Sequence, residues 1–148
     1  MELYNILQKA HSGWAYLALL ILVIVTINSL LGFVSKKEFT PKDRKIALFG
    51  LIATHVQLLI GMFLYFSSPN GLDMIKSVGM GALTSASRLL ALEHPLVNII
   101  AIVLITMGWS KHKKATTSEA KFKTFAVFYG IGLLLILSRI PWSLWLSK

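Results

Sequence analysis

The sequence predicts an all-α protein, a four-helix transmembrane bundle with a short outer interfacial helix. Three observations support that reading. Four long apolar runs, Trp14–Val34, Ile46–Phe66, Leu96–Trp109 and Phe125–Trp145, occupy most of the 148 residues. The first three contain no Lys, Arg, Asp or Glu, and the fourth contains only Arg139. The composition is 55% hydrophobic with a mean hydropathy of +0.70. A spanning helix needs about 20 mostly apolar residues, and runs this continuous lack the two-residue alternation of barrel strands. One domain, residues 1–148, accounts for the whole length.

Each element has its own signal. Glu2–Ala10 places Leu3, Ile6, Leu7 and Ala10 at helical spacing, so it either leads into the first helix or lies at the interface. Met1–Gly13 does not read as a cleavable signal sequence. In the first connection, Thr40-Pro41 is a cap followed by a first-turn proline. Ser67-Ser68-Pro69-Asn70-Gly71 ends the second helix in a turn. Leu72–Glu93, glycine-rich and weakly amphipathic, reads as the short helix across the outer mouth. Pro95 belongs either to the first turn of the third helix or to a kink in a longer one. On the second helix Gly50, Thr54, Gln57 and Gly61 form one stripe. Small residues there allow close helix packing or leave room for a flat cofactor.

The net charge of +9 is a matter of placement. Ten of the 15 basic residues sit in two short connections: Lys36, Lys37, Lys42, Arg44 and Lys45, then Lys111, Lys113, Lys114, Lys121 and Lys123. With four spans these connections share a side, and the positive-inside rule makes it cytoplasmic. That puts both termini outside the cytoplasm in a bacterial inner (plasma) membrane, with the lipid bilayer as partner and anionic lipid against the basic loops. The same placement argues against a nucleic-acid partner. Without cysteine the chain has no disulfide, thiolate metal site or iron–sulfur cluster.

His112, within Lys111-His112-Lys113-Lys114, reads as a solvated loop residue. The other three histidines are different. His11 opens the first run and His94 the third, both toward the outer side, where Arg88, Glu93, Arg139 and Trp142 also fall. Two neutral imidazoles from facing helices are what a bis-histidine b haem requires, and cations near the bilayer surface suit its propionates. The contrary reading is interfacial histidines bonded to backbone or lipid. Counting up from the basic loops at about 1.5 Å per residue puts His94 and Arg139 roughly 24 Å up, His55 roughly 15 Å and His11 roughly 35 Å. His94 then lies about 10 Å from either possible partner, and the pair stays open. Arg139, at membrane depth, is expected to point into the bundle and to pair with a propionate or Glu93.

At these residues the chain resembles a known family. His11-Ser-Gly-Trp-Ala-Tyr-Leu, Val56-Gln57-Leu-Leu-Ile-Gly61 and His94 at the head of the next span, over roughly Ala10 to Trp109, resemble one four-helix half of the heme A synthase family. His11-Ser12-Gly13, Glu93-His94-Pro95 and Ile140-Pro141-Trp142 are also similar to small cytochrome b-like membrane proteins. The resemblance implies that His11 and His94 are the axial metal ligands of a haem b, and it gives His55 no ligand role. The candidate cofactor-binding set is His11, His94, Arg139, Arg88, Trp14 and His55. One departure matters. Leu7 stands where the synthase family has a glutamate four residues before its first ligand histidine, so hydroxylating chemistry does not transfer.

The expected function is an electron-transferring membrane cytochrome, with a quinone or another membrane redox partner. Two rivals remain on sequence grounds. One is a cofactor-free structural or adaptor subunit of a membrane complex. The other is a copper-handling protein using His94, Glu93 and Met62 or Met80, since soft copper accepts thioether and imidazole.

Overall fold

A computed structural model describes residues 1–147. The long helices are α1 (Glu2–Val34), α2 (Pro41–Ser67), α5 (His94–Lys114) and α6 (Ser118–Ser138), joined at the end away from the basic loops, the outer end, by the short α3 (Leu72–Val78) and α4 (Ser85–Arg88) and closed by α7 (Trp142–Trp145). Four helical stretches are long and apolar enough to cross a membrane, and the molecule is an all-α, multi-pass bundle. Each long helix packs on two neighbours: α1 on α2 and α6, and α5 on α2 and α6.

The faces of α1 explain why lipid is the outer solvent. Ala18, Leu22, Val25, Ser29 and Gly32 point inward and are buried. Leu17, Leu20, Ile24, Ile27 and Leu31 point outward and are exposed, yet equally apolar. A helix apolar all round is stable only inside a large core or a bilayer.

The two halves of the interior differ. Toward the basic end, Leu22, Val25, Ala47, Ile105, Trp109, Phe125, Tyr129 and Leu133 fill the space completely. Tyr129 is fully buried and donates its hydroxyl to the Ala47 carbonyl at 2.8 Å. Glycines let these bulky rings in: Gly32 faces Phe122, Gly50 faces Tyr129 and Gly108 faces Phe128. Toward the outer end the interior positions are small or polar (Ser12, Ala15, Ala18, Thr54, Gln57, Gly61), and a cavity opens there.

The basic loops share one end, as their charge predicts. The Phe39 backbone N–H donates to Ser118 Oγ at 2.9 Å, tying the first connection to the start of α6. Pro41 opens α2 with Thr40 at the N-cap, as the sequence suggests. The Asp43 carboxylate accepts from the Thr40 N–H, the Thr40 hydroxyl and Asn28 Nδ2, each at 2.9 Å.

Of the two alternatives for Glu2–Ala10, the structure has it continuous with α1. Three boundaries differ from the sequence reading. Leu72–Glu93 is not one interfacial helix: only Leu72–Val78 is, followed by a 3-10 turn at Met80–Ala82, and Ser85–Glu93 already belongs to the third span. That span runs through a π turn, Leu89–Glu93, into α5 and on to Lys114, so His94 lies within it rather than at its head. The fourth helix ends at Ser138, because Arg139 leaves helical geometry before Pro141.

The π turn and Pro95 form one device. Pro95 has no N–H to return to the Ala91 carbonyl, and Tyr65 on α2 supplies the missing donor, its hydroxyl 3.0 Å from Ala91 O. Tyr65→Phe should cost about 1–2 kcal/mol by orphaning that carbonyl. The same change should cost clearly less in a Pro95→Ala background, where an N–H returns. Thermal unfolding in detergent around the double-mutant cycle checks this.

A second outcome concerns close packing. A Cβ at Gly108 would stand 2.6 Å from Phe128 Cβ, whereas one at Gly13 meets nothing within 4 Å. Gly108→Leu should destabilise the bundle by about 1–3 kcal/mol, and Gly13→Ala should be neutral or slightly stabilising, as read by melting temperature.

Candidate functional site

The outer cavity has a volume of about 770 Å³. It is lined by α1, α2, the third span, the end of α6 and the chain around Ile140–Trp145, together with Ser68, Asn70 and Gly71 of the turn after α2. Leucine and isoleucine are the commonest wall residues, with Tyr4, Gln8, Ser12, Thr54, Gln57 and Asn98 among the polar members and two histidines, His11 and His94. A mostly apolar hollow with a few convergent polar groups is the ordinary form of a cofactor site.

The histidine rings meet. Their centroids are 6.0 Å apart and their planes cross at 85°. The separation of about 10 Å expected from depth counting is corrected. That count stops the third helix at Trp109, whereas α5 stays helical to Lys114, which lifts His94 by roughly 7 Å at the helical rise. His11 and His94 then lie at similar depths on parallel helices.

His94 is held by two bonds, one on its ring and one on its backbone. Its Nδ1 lies 2.8 Å from the Arg139 carbonyl, and Asn98 Nδ2 donates to the His94 carbonyl at 2.6 Å. A carbonyl can only accept, so Nδ1 carries the proton in the neutral ring. The 3.2 Å approach of Asn98 Nδ2 to Nδ1 is then a contact between two donors. Nε2 is left with its lone pair and without a hydrogen-bond partner among the described residues. This is the arrangement by which a backbone carbonyl fixes the tautomer and orientation of a metal-ligating histidine.

His11 is held through its backbone and its packing. Gln57 Nε2 donates to the His11 carbonyl at 2.9 Å, and Trp14 Nε1 donates to the Ala53 carbonyl at 2.8 Å, fixing α1 against α2 one turn further on. Gly61 abuts the ring: a Cβ there would be 3.0 Å from His11 Cε1. The stripe on α2 therefore serves two ends, Gly50 admitting Tyr129 and Gly61 admitting the imidazole. His11 Nδ1 and Gln57 Oε1 are buried without partners. Buried polar groups are nearly always satisfied, and such exceptions call for an explanation.

The remaining candidates are not all in the cavity. Glu93 bridges both arginines, with Arg88 Nε at 3.0 Å and Arg139 Nε at 3.4 Å. The expected Arg139–Glu93 pair is present, but Arg139 does not point into the bundle: its side chain is 45% exposed. The reason is the helix end at Ser138: Arg139 leaves helical geometry and its guanidinium turns to Glu93. Neither arginine nor Trp14 lines the cavity. Trp142 is also outside it, donating to the Leu137 carbonyl at 3.0 Å, and Trp145 lines the wall instead.

His55 stands apart, in a small groove with Leu51, Ile52, Val56, Leu59 and Thr106. Its Nδ1 is 2.7 Å from the Leu51 carbonyl and its Nε2 is 3.3 Å from the Thr106 hydroxyl, so both ring nitrogens have partners. His112 is not a solvated loop residue. It is 1% exposed, bonds the Trp109 carbonyl through Nδ1, and packs among Phe39, Trp109 and Phe125. The surrounding lysines disguise a position on the inward face of a helix that runs to Lys114.

The donor set fits a haem better than a bare metal ion. Among the described residues no group of three or more His, Asp or Glu side chains is placed to hold an ion; of the copper candidates, Met62 lines the cavity with His94, whereas Glu93 and Met80 do not. A haem needs only two axial donors, since its ring supplies the rest. Metal–imidazole bonds of about 2 Å on either side separate two ring centres by roughly 6 Å, the spacing of His11 and His94. No family model, curated protein or solved structure matches the chain, so the site's chemistry is the guide to function.

Asn98 and the Arg139 backbone lie outside the candidate set that the sequence suggests. Substituting Asn98 removes its 2.6 Å bond to the His94 carbonyl while keeping the imidazole. On the haem reading, Asn98→Leu should therefore weaken binding at His94 several-fold by loosening its backbone, measurable by titrating haem into the apoprotein. Gln8→Leu, on the cavity wall away from that contact, should change it little.

Proposed function

We propose that this chain is a membrane cytochrome that binds one haem b through His11 and His94 near its outer end and transfers electrons. The observation that carries the reading is the pair of imidazoles, 6.0 Å apart inside a 770 Å³ apolar cavity, one of them with its tautomer set by a backbone carbonyl. The resemblance to a half of the heme A synthase family points to the same two residues. When bound, the haem would supply a one-electron iron couple. Filling both axial positions favours electron transfer over oxygen binding.

The protein's own residues have distinct parts. His94 offers Nε2 while its Nδ1–H is committed to Arg139 O. His11 is the opposing ligand, with Gly61 leaving space beside its ring. The leucine and isoleucine side chains of the walls give the pair a largely apolar setting. Arg88 and Arg139 share one carboxylate, Glu93, leaving net positive charge at this end of the bundle that would suit haem propionates. Arg139 acts twice, through its carbonyl on His94 and its guanidinium on Glu93. A lipid-soluble quinone is the class of redox partner that such a site would meet.

The orientation that follows has the basic loops in the cytoplasm of a bacterial cell and both termini outside. The chain has no native cysteine, so Thr116→Cys, at an exposed position between α5 and α6, is a unique label site. It should resist impermeant thiol reagents applied from outside intact cells. Ready labelling would invert the topology.

Ligation is tested by absorption spectra of detergent-purified protein. His11→Ala and His94→Ala should each abolish the low-spin haem spectrum, and His55→Ala should leave it largely intact. Loss of haem in His55→Ala with retention in His11→Ala would move the ligand pair to α2 and α5. Absence of stoichiometric haem from the wild-type protein would favour a cofactor-free adaptor subunit.

A further inference from the structure

We infer that the basic end carries a binding site for the phosphate headgroup of an anionic phospholipid, built on the aromatic cluster around Trp109. Three segments converge there. Arg44 from α2 lies over the Trp109 ring with its guanidinium 4.9 Å from the centroid, and Lys113 at the end of α5 lies over the same ring at 5.7 Å. Lys121 from α6 lies over Phe39 at 5.5 Å. Phe39 in turn packs on Phe122 and Phe125, with centroids 5.1 and 6.0 Å away, so one apolar platform underlies all three cations.

The charges are ordered but not neutralised. Both ion pairs among the described residues lie at the opposite end of the bundle, on Glu93. Asp43, the buried acid nearest these loops in sequence, already accepts from Asn28 and from Thr40. A cation resting on an aromatic face keeps its remaining N–H donors for an outside acceptor, and arginine is suited to phosphate in particular. The site lies at the end of four spanning helices, the level at which headgroups lie and at which a membrane's anionic lipids attract basic segments. Acyl chains would extend along the exposed apolar faces, where Phe49 and Met107 are among the outward side chains. Charge complementarity and this continuity with a lipid-facing wall identify a phospholipid, not a soluble polyanion, as the occupant.

The site is tested on the full-length protein in a zwitterionic detergent, with phosphatidylglycerol, phosphatidylcholine or inorganic phosphate added. Thermal unfolding and native mass spectrometry are the readouts. Phosphatidylglycerol should raise the melting temperature by about 5 °C and remain bound at about one copy per chain. Phosphatidylcholine and inorganic phosphate should do neither. The variant Arg44→Gln/Lys113→Gln/Lys121→Gln should lose both responses. Lys42→Gln/Lys45→Gln/Lys114→Gln, which removes the same charge from the same end but touches none of these rings, should keep them. Equal loss in both triple variants would mean diffuse attraction and overturn the site. So would full retention in the first variant, or an equal response to inorganic phosphate. Should the first variant fold poorly, Arg44→Lys alone gives a second reading: its bound-lipid fraction should fall several-fold, and an unchanged fraction would contradict the proposal.

Discussion

The hydrogen bond from His94 Nδ1 to the Arg139 carbonyl is the contact on which the outer half of this molecule depends. It joins two spans at the point where both depart from regular helix. α6 ends at Ser138, which turns the Arg139 carbonyl out of its own helical ladder and makes it available. The third span passes through a π turn just before His94, where Pro95 breaks the pattern of backbone donors. A carbonyl or imidazole N–H without a partner is costly, so the carbonyl freed at the end of α6 and the His94 ring N–H satisfy one another, while Tyr65 serves the carbonyl that Pro95 leaves without a donor. The result is a histidine of defined tautomer facing a hollow.

The division of the bundle into a filled half and a hollow half follows from side-chain size. Phe122, Phe125, Tyr129 and Trp109 fill the basic end, admitted by glycines on the facing helices. At the outer end Ser12, Ala15, Ala18, Thr54 and Gly61 cannot fill the same cross-section. The filled half holds the helices rigidly in register, and rigid elements are what keep two ligand side chains at a fixed separation. The close-packed aromatic core and the cavity thus lie at opposite ends of the same four helices.

Most of the architecture is legible in the sequence because a bilayer imposes simple requirements: run length and charge placement suffice for the four spans and for the shared end of the basic loops. The meeting of His11 and His94 is suggested by resemblance, and counting along the helices alone does not reach it. The count fails at Trp109, where lysines read as loop although the helix continues under them to Lys114. The same lysines make His112 look solvated, when the aromatic rings of Trp109 and Phe125 enclose it. Arg139 looks deep because an apolar run surrounds it. Backbone geometry before Pro141, not hydropathy, sets the helix end there. The bonds from Tyr65 to Ala91 and from Asn98 to the His94 backbone depend on three-dimensional register, and nothing in the one-dimensional pattern signals them.

The central claim is bis-histidine haem ligation by rings whose planes cross at 85°. Low-temperature electron paramagnetic resonance of the oxidised, detergent-purified protein tests it most directly, because the angle between two axial imidazoles sets the anisotropy of a low-spin ferric signal. The account predicts a low-spin signal of the strongly anisotropic kind that crossed imidazole planes produce. A high-spin ferric signal, a low-spin signal typical of parallel planes, or a protein without haem iron would contradict it.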